Sequence, residues 1–526
     1  MTRFRLSLQA LKENSWINHP GRLTRAAIFI FLGVFIFVLF LTAGLARPYN
    51  SDHASIMLEA KAIIDEQNIL LKGWNLSTVS YLTTEIPAYV IGILLFGFTE
   101  KVIFIVTALN YTLLTLAVVY ICSFSSDGKF STGRLMISTC LSFFLLQVFS
   151  VYKLFSPVHI VAFTYCILSL LCIRNFGKNN ILNGFIFGLL LILAFVGDEF
   201  AIYAWGVPIA LALFYQSFWG AQKKWSRVFL AITVLSIFLS NVTLNLLTQN
   251  GGFIIPGVNS EMKFVSLENL SRNFNLFIVG VLDLFGMNFF GKPILDVETG
   301  KMAIHFLGLA VFILSIYHLS RNFRRQNVIA QIALLAVVLN LFEYLFSNIA
   351  VDINTVRYLV PALIGGMILM TEIITSHHWY IQKPTLVSVV CCIVAISLLP
   401  PLSTSRPALS IDPLSAFLAE HDLKNGYSSF WTAAVTTIHS HGDVTLRQVK
   451  SYDGQTVQPQ YWLSEDGWYR EKANFLVIDN SNPYSLSTAI AVNTFGKPSN
   501  EYEVDQFTIL VWNKDISTLL KIPVGR

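Results

Sequence analysis

Charge is scarce in this sequence. Of 526 residues, 13% are charged and 54% hydrophobic, and mean hydropathy is +0.60. A soluble protein carries roughly a quarter charged residues, so a single soluble globule is excluded. Disorder is excluded too, because it needs low hydrophobicity with high charge. The net charge of +5 on 59.0 kDa is too small to point to nucleic acid. Cysteine is also scarce. Cys122, Cys140, Cys166, Cys172, Cys391 and Cys392 all fall within or beside apolar runs, so no disulfide framework supports the polar regions. Metal-spaced Cys or His clusters, a glycine-rich phosphate loop and a GxSxG elbow are all missing. So are internal repeats and low-complexity linkers. The length predicts more than one folded unit.

What is present is apolar length. Ala26–Leu45 is an unbroken run of 20 residues, enough for a helix to cross a hydrocarbon core of about 30 Å. Arg3, Arg5, Lys12, Arg22 and Arg25 precede it. A cleaved signal peptide has a shorter core, so this run reads as a retained first span. Ten more runs follow: Val102–Phe124, Leu135–Tyr152, Ile160–Ile173, Ile181–Val196, Ile202–Phe218, Val228–Leu247, Met302–Leu319, Val328–Phe346, Tyr358–Thr375 and Thr385–Leu399. Ile86–Gly97 and Phe274–Phe290 read as interfacial or re-entrant.

With a cytoplasmic N-terminus, the inside loops hold Lys129, Arg134, Arg174, Lys178, Lys223, Lys224, Arg227, Arg321, Arg324, Arg325 and Lys383, while the short outside connections hold chiefly Lys153. That is the asymmetry the positive-inside rule expects. The sequence therefore predicts a polytopic α-helical membrane protein of about eleven spans. Residues 1–25 form a cytoplasmic segment, 26–400 the transmembrane domain and 401–526 a soluble extracytoplasmic domain. Two outer loops, Ala46–Ile86 and Thr248–Lys301, accompany the tail. The tail reads as α/β, with a helix near Pro413–His421 and strands at Phe475–Asp479 and Phe507–Trp512.

Polar residues cluster on the predicted outer side. Asp52 follows the first span in Asn50-Ser51-Asp52-His53, at the start of an amphipathic stretch. Ile56, Ala60, Ile63 and Ile64 share one face of that stretch, with Glu59, Asp65 and Glu66 mostly on the other. The stretch reads as a helix along the membrane surface. Asp52 is then either its cap or a carboxylate base at headgroup level. Asp198 and Glu199 sit in a short outer turn, where desolvation and mutual repulsion perturb a carboxyl, or where they simply keep the hairpin outside. Asp352, Asn354 and Arg357 begin a late span. Arg357 suits phosphate, because its planar fork binds two oxygens; an ion pair with Asp352 or snorkelling is the plainer reading. Lys153 and His159 flank another outer turn. Glu343 is an intramembrane acid and a functional candidate by default. Glu85 either faces the same cavity as Asp52 or caps Ile86–Gly97. These residues would line one cavity at the lipid–water boundary, with a base for an acceptor hydroxyl and a cation for a leaving phosphate.

This arrangement resembles the GT-C superfamily of polyprenyl-phosphate-sugar-dependent glycosyltransferases. The matching residues are Ser51-Asp52-His53 with the helix to Asn68, and the tail segments Gly426-Tyr-Ser-Ser-Phe-Trp431 and Trp462-Leu-Ser-Glu-Asp-Gly-Trp468-Tyr. The last two are similar to tail segments of bacterial GT-C-type proteins that modify surface glycans. The Asp52-His53 pair departs from the Asp-Glu pair of some members. The resemblance implies a GT-C-type catalytic domain over residues 26–400 in a bacterial inner membrane, with the C-terminal domain periplasmic. It implies Asp52 as general base, Arg357 with Lys153 on the donor phosphate, and Asp198 or Glu199 orienting the donor sugar. Transfer would be a direct, inverting displacement. The partners implied are a polyprenyl-phosphate sugar donor, an acceptor such as O-antigen, lipopolysaccharide or another envelope glycan or lipid, and membrane lipid. No cofactor is required; Mg2+ or Mn2+ is compatible with the carboxylates, and no metal ligand is assigned. The aromatic-rich tail (Trp431, Tyr461, Trp462, Trp468, Tyr469, Trp512) is either a sugar-stacking surface or the core of a small domain. The competing functional reading is a transporter or flippase of a lipid-linked or anionic substrate. Against it stand the lack of an inverted repeat and the few broken helices.

Overall fold

The computed structural model describes residues 21–125, 128–151, 159–174, 180–255, 263–293, 295–376, 382–400 and 411–521. Seventeen α-helices are named in chain order. They are α1 (Arg22–Leu45), α2 (Ser51–Asp65), α3 (Glu85–Phe96), α4 (Glu100–Cys122), α5 (Thr132–Val151), α6 (Ile160–Arg174), α7 (Asn180–Gly197), α8 (Val207–Trp219), α9 (Lys223–Gln249), α10 (Leu267–Leu284), α11 (Val297–Arg321), α12 (Val328–Phe346), α13 (Val360–Ser376), α14 (Pro384–Ser397), α15 (Ile411–Glu420), α16 (Phe430–His439) and α17 (Thr488–Phe495). The chain is mostly helical and falls into two compact units. One takes in the described residues of Met1–Gly44, Ala108–Ser240 and Ser260–Ser403; the other takes in those of Leu45–Thr107, Asn241–Asn259 and Thr404–Arg526.

The first unit is a helix bundle. Its pairs include α6 with α7, α12 with α13, α8 with α12, and α5 with α13 and α14. Its outer surface is apolar: Ile30, Phe31 and Val34 on α1, Ile181 and Phe185 on α7, Val234 and Phe238 on α9, and Phe306 and Leu314 on α11 are all exposed. Apolar area on this scale is not left to water, and helices satisfy their backbone groups internally, as lipid demands. Among the described residues, seven helices are long and apolar enough to cross a membrane, and four shorter apolar ones accompany them. The protein is membrane-embedded. At its centre Phe144 packs where Gly308 has no side chain, and Phe312 does the same at Gly366; a Cβ at either glycine would lie 2.3 Å from the ring. Small residues of this kind let apolar helices approach closely.

The run Ile202–Phe218 is not one regular helix. It opens with a π-helical turn, Ile202–Gly206, before α8. The cause is Pro208, which cannot donate to the Ala204 carbonyl one turn back. Asn340 of α12 fills that vacancy, its Nδ2 donating to the Ala204 oxygen at 3.1 Å.

The second unit holds the tail and the segment that follows α1. Six strands pair in the order β4 (Gln458–Pro459), β3 (Thr445–Lys450), β2 (Asn425–Ser428), β6 (Phe475–Asp479), β8 (Phe507–Val511) and β7 (Asn500–Val504). Strands β3, β2 and β6 are parallel, with α16 joining β2 to β3. β6 and β8 are almost continuously buried, as strands covered on both faces require. β7 is the edge, and its Glu501 and Glu503 discourage further pairing. The expected strands at 475–479 and 507–512 form almost as read. Trp468, Tyr469 and Trp512 are buried core, whereas Trp431 is exposed.

The loop is stitched to the tail by named contacts. β1 (Trp74–Asn75) pairs with β5 (Ser464–Glu465). Trp74 meets Trp468 edge-on at 5.1 Å, Asn75 Nδ2 donates to Asp466 at 2.7 Å, and Ser51 Oγ donates to the Phe430 carbonyl at 2.6 Å. The amphipathic reading of α2 is corrected here. The helix packs against both α3 and α16, so Glu59 on the face read as polar is fully buried, while Asp65 at its C-terminal end stays exposed. The hydrophobic period identified the helix, but not the second helix that covers its other side. Helix α3 has 12 residues, a length of about 18 Å. That is short of a bilayer core. It closes at Gly97, whose φ of 76° is readily adopted only without a Cβ.

Candidate functional site

In the bundle unit, the end of α7 and the start of α6 meet through one short bond. His159 Nδ1 donates to Asp198 Oδ2 at 2.5 Å, and both side chains are buried. The other Asp198 oxygen, Oδ1, accepts the Phe200 N–H at 3.0 Å, which fixes the carboxylate on its own turn. His159 has φ 73°. A residue with a Cβ in that region stores about 1–3 kcal/mol, and such strain clusters at functional sites. With Nδ1 donating, the neutral ring keeps Nε2 as an acceptor.

Aromatic rings surround this pair. Phe200 lies 5.2 Å from the His159 ring, Tyr358 5.8 Å and Phe163 6.0 Å. Tyr358 links the pair to Arg357, whose guanidinium lies over its ring at 5.2 Å and whose Nη2 donates to its hydroxyl at 3.4 Å. So His159, Asp198 and Arg357 are neighbours, joined by Tyr358. Glu199 is on the same turn, where desolvation first, then the Asp198 charge, push its carboxyl upward. Asp352 caps the 3-10 turn Ile353–Leu359 by accepting the Asn354 and Thr355 N–H groups. Glu343 opens onto a mostly apolar cavity of about 270 Å³, shared with Lys263, Tyr203, Phe264 and Phe342. Lys153 lies outside the described residues.

Asp52 and Glu85 belong to the other unit. Asn50, not Asp52, caps α2: its side chain accepts the Asp52 and His53 N–H groups, and His53 returns a bond to the Asn50 backbone. This leaves Asp52 inside the first turn, where the helix dipole favours an anion. Glu85 is the first residue of α3 and is fully buried.

Sequence reasoning missed two residues. In the sequence Tyr358 is only the start of a span, and no spacing marks it as the bridge to His159. Glu59 was placed on a polar face. Both its oxygens are buried without a hydrogen-bond partner among the described residues, and desolvation pushes its carboxyl well above the usual range. Below the unfolded-chain pKa of about 4.3 both states hold the proton and nothing is lost. As pH rises, the unfolded chain releases it while the folded protein retains it, so stability falls. Glu59→Gln carries no such proton. Its thermal midpoint in detergent should exceed that of the unsubstituted protein by an amount that grows from pH 5 to pH 8. A constant difference across that range would contradict the assignment.

Among the described residues, no group of three His, Cys, Asp or Glu side chains is placed to hold a metal ion. No protein-family model matches the chain, and no curated protein matches it either.

Proposed function

We propose that this protein is an inverting glycosyltransferase. It moves a sugar from a polyprenyl-phosphate donor to an envelope glycan or lipid acceptor at the outer face of a bacterial plasma membrane. One observation carries the reading: the buried Asp198–His159 pair beside Tyr358 and Arg357. Polar and ionisable groups are expensive among apolar helices and mark the handling of a charged substrate. Arg357 supplies the fork for the donor phosphate. His159, held in one orientation by Asp198, supplies a ring nitrogen for a sugar hydroxyl, with aromatic faces beside it.

In the reaction the acceptor oxygen bonds to the anomeric carbon as the bond from that carbon to the phosphate oxygen breaks. The electron pair leaves with the polyprenyl phosphate, which Arg357 neutralises. The acceptor proton passes to a carboxylate base, the role that the resemblance gives Asp52, a residue of the other unit. A single displacement inverts the anomeric centre. No step runs through a metal.

The test is to incubate purified protein with a panel of polyprenyl-phosphate sugars and crude envelope glycan, then assign products by mass. The expected product is acceptor heavier by one sugar residue. Passage of the lipid-linked sugar across a vesicle membrane, with no change in covalent structure, would replace this reading with transport.

A further inference from the structure

A second cleft in the bundle unit has mostly apolar walls that carry charged side chains. Its cavity of about 120 Å³ is lined by Phe124, Arg134, Arg174, Asn327, Val328 and Glu372, among others. One water needs about 10–15 Å³ of such space, so the cleft admits a group several times larger.

Its charges do not balance. Arg134 is buried and bonded at all three nitrogens: Nη2 meets Glu372 at 2.7 Å, Nη1 donates to Thr375 at 2.8 Å, and Nε donates to the Cys122 carbonyl at 2.9 Å. Arg174 has no carboxylate partner among the described residues. Its Nη1 and Nη2 donate to the Ile121 and Ser125 carbonyls, at 3.0 and 2.9 Å, and its guanidinium lies over the Phe124 ring. A guanidinium has five N–H donors, so Nε–H and one N–H on each terminal nitrogen have no acceptor among the described residues. One carboxylate thus faces two guanidiniums. The first turn of α12 adds to the excess. Asn327 caps it by accepting the Ala330 N–H at 3.0 Å, but the Val328 and Ile329 N–H groups have no acceptor within the helix, and this helix end carries partial positive charge.

We propose that this cleft binds a phosphate group, held by Arg174 with the first turn of α12 while the Arg134–Glu372 pair fixes the wall. Arg and a helix N-terminus together match a tetrahedral anion. Arg134 and Arg174 are among the residues that the positive-inside rule assigns to the cytoplasmic side. A phosphate there comes from an anionic phospholipid headgroup of the inner leaflet or from a soluble phosphate, and basic pockets between spans favour the former. The proposal does not depend on the transfer reaction.

Two variants test it. Arg174→Gln removes the unbalanced charge. Val328→Pro removes one N–H without changing charge; proline is tolerated at the first helical position, and Asn327, at φ −65° and ψ 159°, already has the backbone that a following proline requires. In one arm, delipidated protein is loaded with phosphatidylglycerol or phosphatidylethanolamine, and retained lipid is read by native mass spectrometry. In the other arm, inorganic phosphate is titrated into lipid-free detergent and the thermal midpoint followed. The unsubstituted protein should retain phosphatidylglycerol preferentially, or shift saturably with phosphate, and the responding arm identifies the source. Arg174→Gln should weaken that response about tenfold, and Val328→Pro a few-fold. No response in either arm, or equal responses in all three proteins, would overturn the proposal.

Discussion

Asp52→Asn is expected to lower the initial rate of sugar transfer by about 10²–10⁴-fold, the range that a positioned general base contributes, while expression and thermal midpoint change little. The cap of α2 is Asn50, bonded to two N–H groups and answered by His53, so helix initiation does not require the Asp52 carboxylate. Asparagine has the same shape and loses only charge and basicity. If Asp52 served only the helix dipole, the change would remove about 0.3–1 kcal/mol of stability and leave turnover intact. Mass-resolved product formation, measured alongside a melting curve, separates the two. Full activity in the variant would end its assignment as the base.

Asp198 gives the second large effect, and two substitutions divide its roles. Asp198→Asn retains an oxygen for the Phe200 N–H and an amide that can still meet the His159 ring, so folding should survive. The charge that orients the imidazole is gone, and turnover should fall by about 10²-fold. Asp198→Ala removes both bonds. It leaves His159, already at positive φ, buried without its partner. Leaving a buried donor unsatisfied costs about 1–3 kcal/mol, so this variant should lose folded yield in detergent. If Asn and Ala behave alike, either both active or both unfolded, Asp198 serves the turn alone and has no part in holding His159 for substrate.

Legibility differed by element. Helices with long apolar runs, such as α1, α4 and α12, were readable because a bilayer sets their length and composition. The strands of the tail were readable because burial on both faces demands unbroken apolar segments. The π-turn before α8 was not read, although Pro208 was its local signal; its compensation comes from Asn340, more than a hundred residues away. Arg357 and Asp198 stood out as charges at span ends. His159 looked like an ordinary interfacial ring, because its significance comes from a carboxylate on another helix. Helix α2 shows the limit most plainly. Periodicity located it, yet Glu59 went to the wrong environment because α3 and α16 cover both sides.

The sequence by itself determined that this chain is a membrane protein of many apolar helices with an α/β tail. Those properties follow from composition and local period, which each segment carries alone. Tertiary structure alone decided that the segment after α1 folds with the tail as one unit, that Asn50 rather than Asp52 caps α2, and that His159, Asp198, Tyr358 and Arg357 are neighbours. Each of these depends on groups distant in the chain that burial forces to find a partner, and a sequence states which groups need partners without stating which ones they meet.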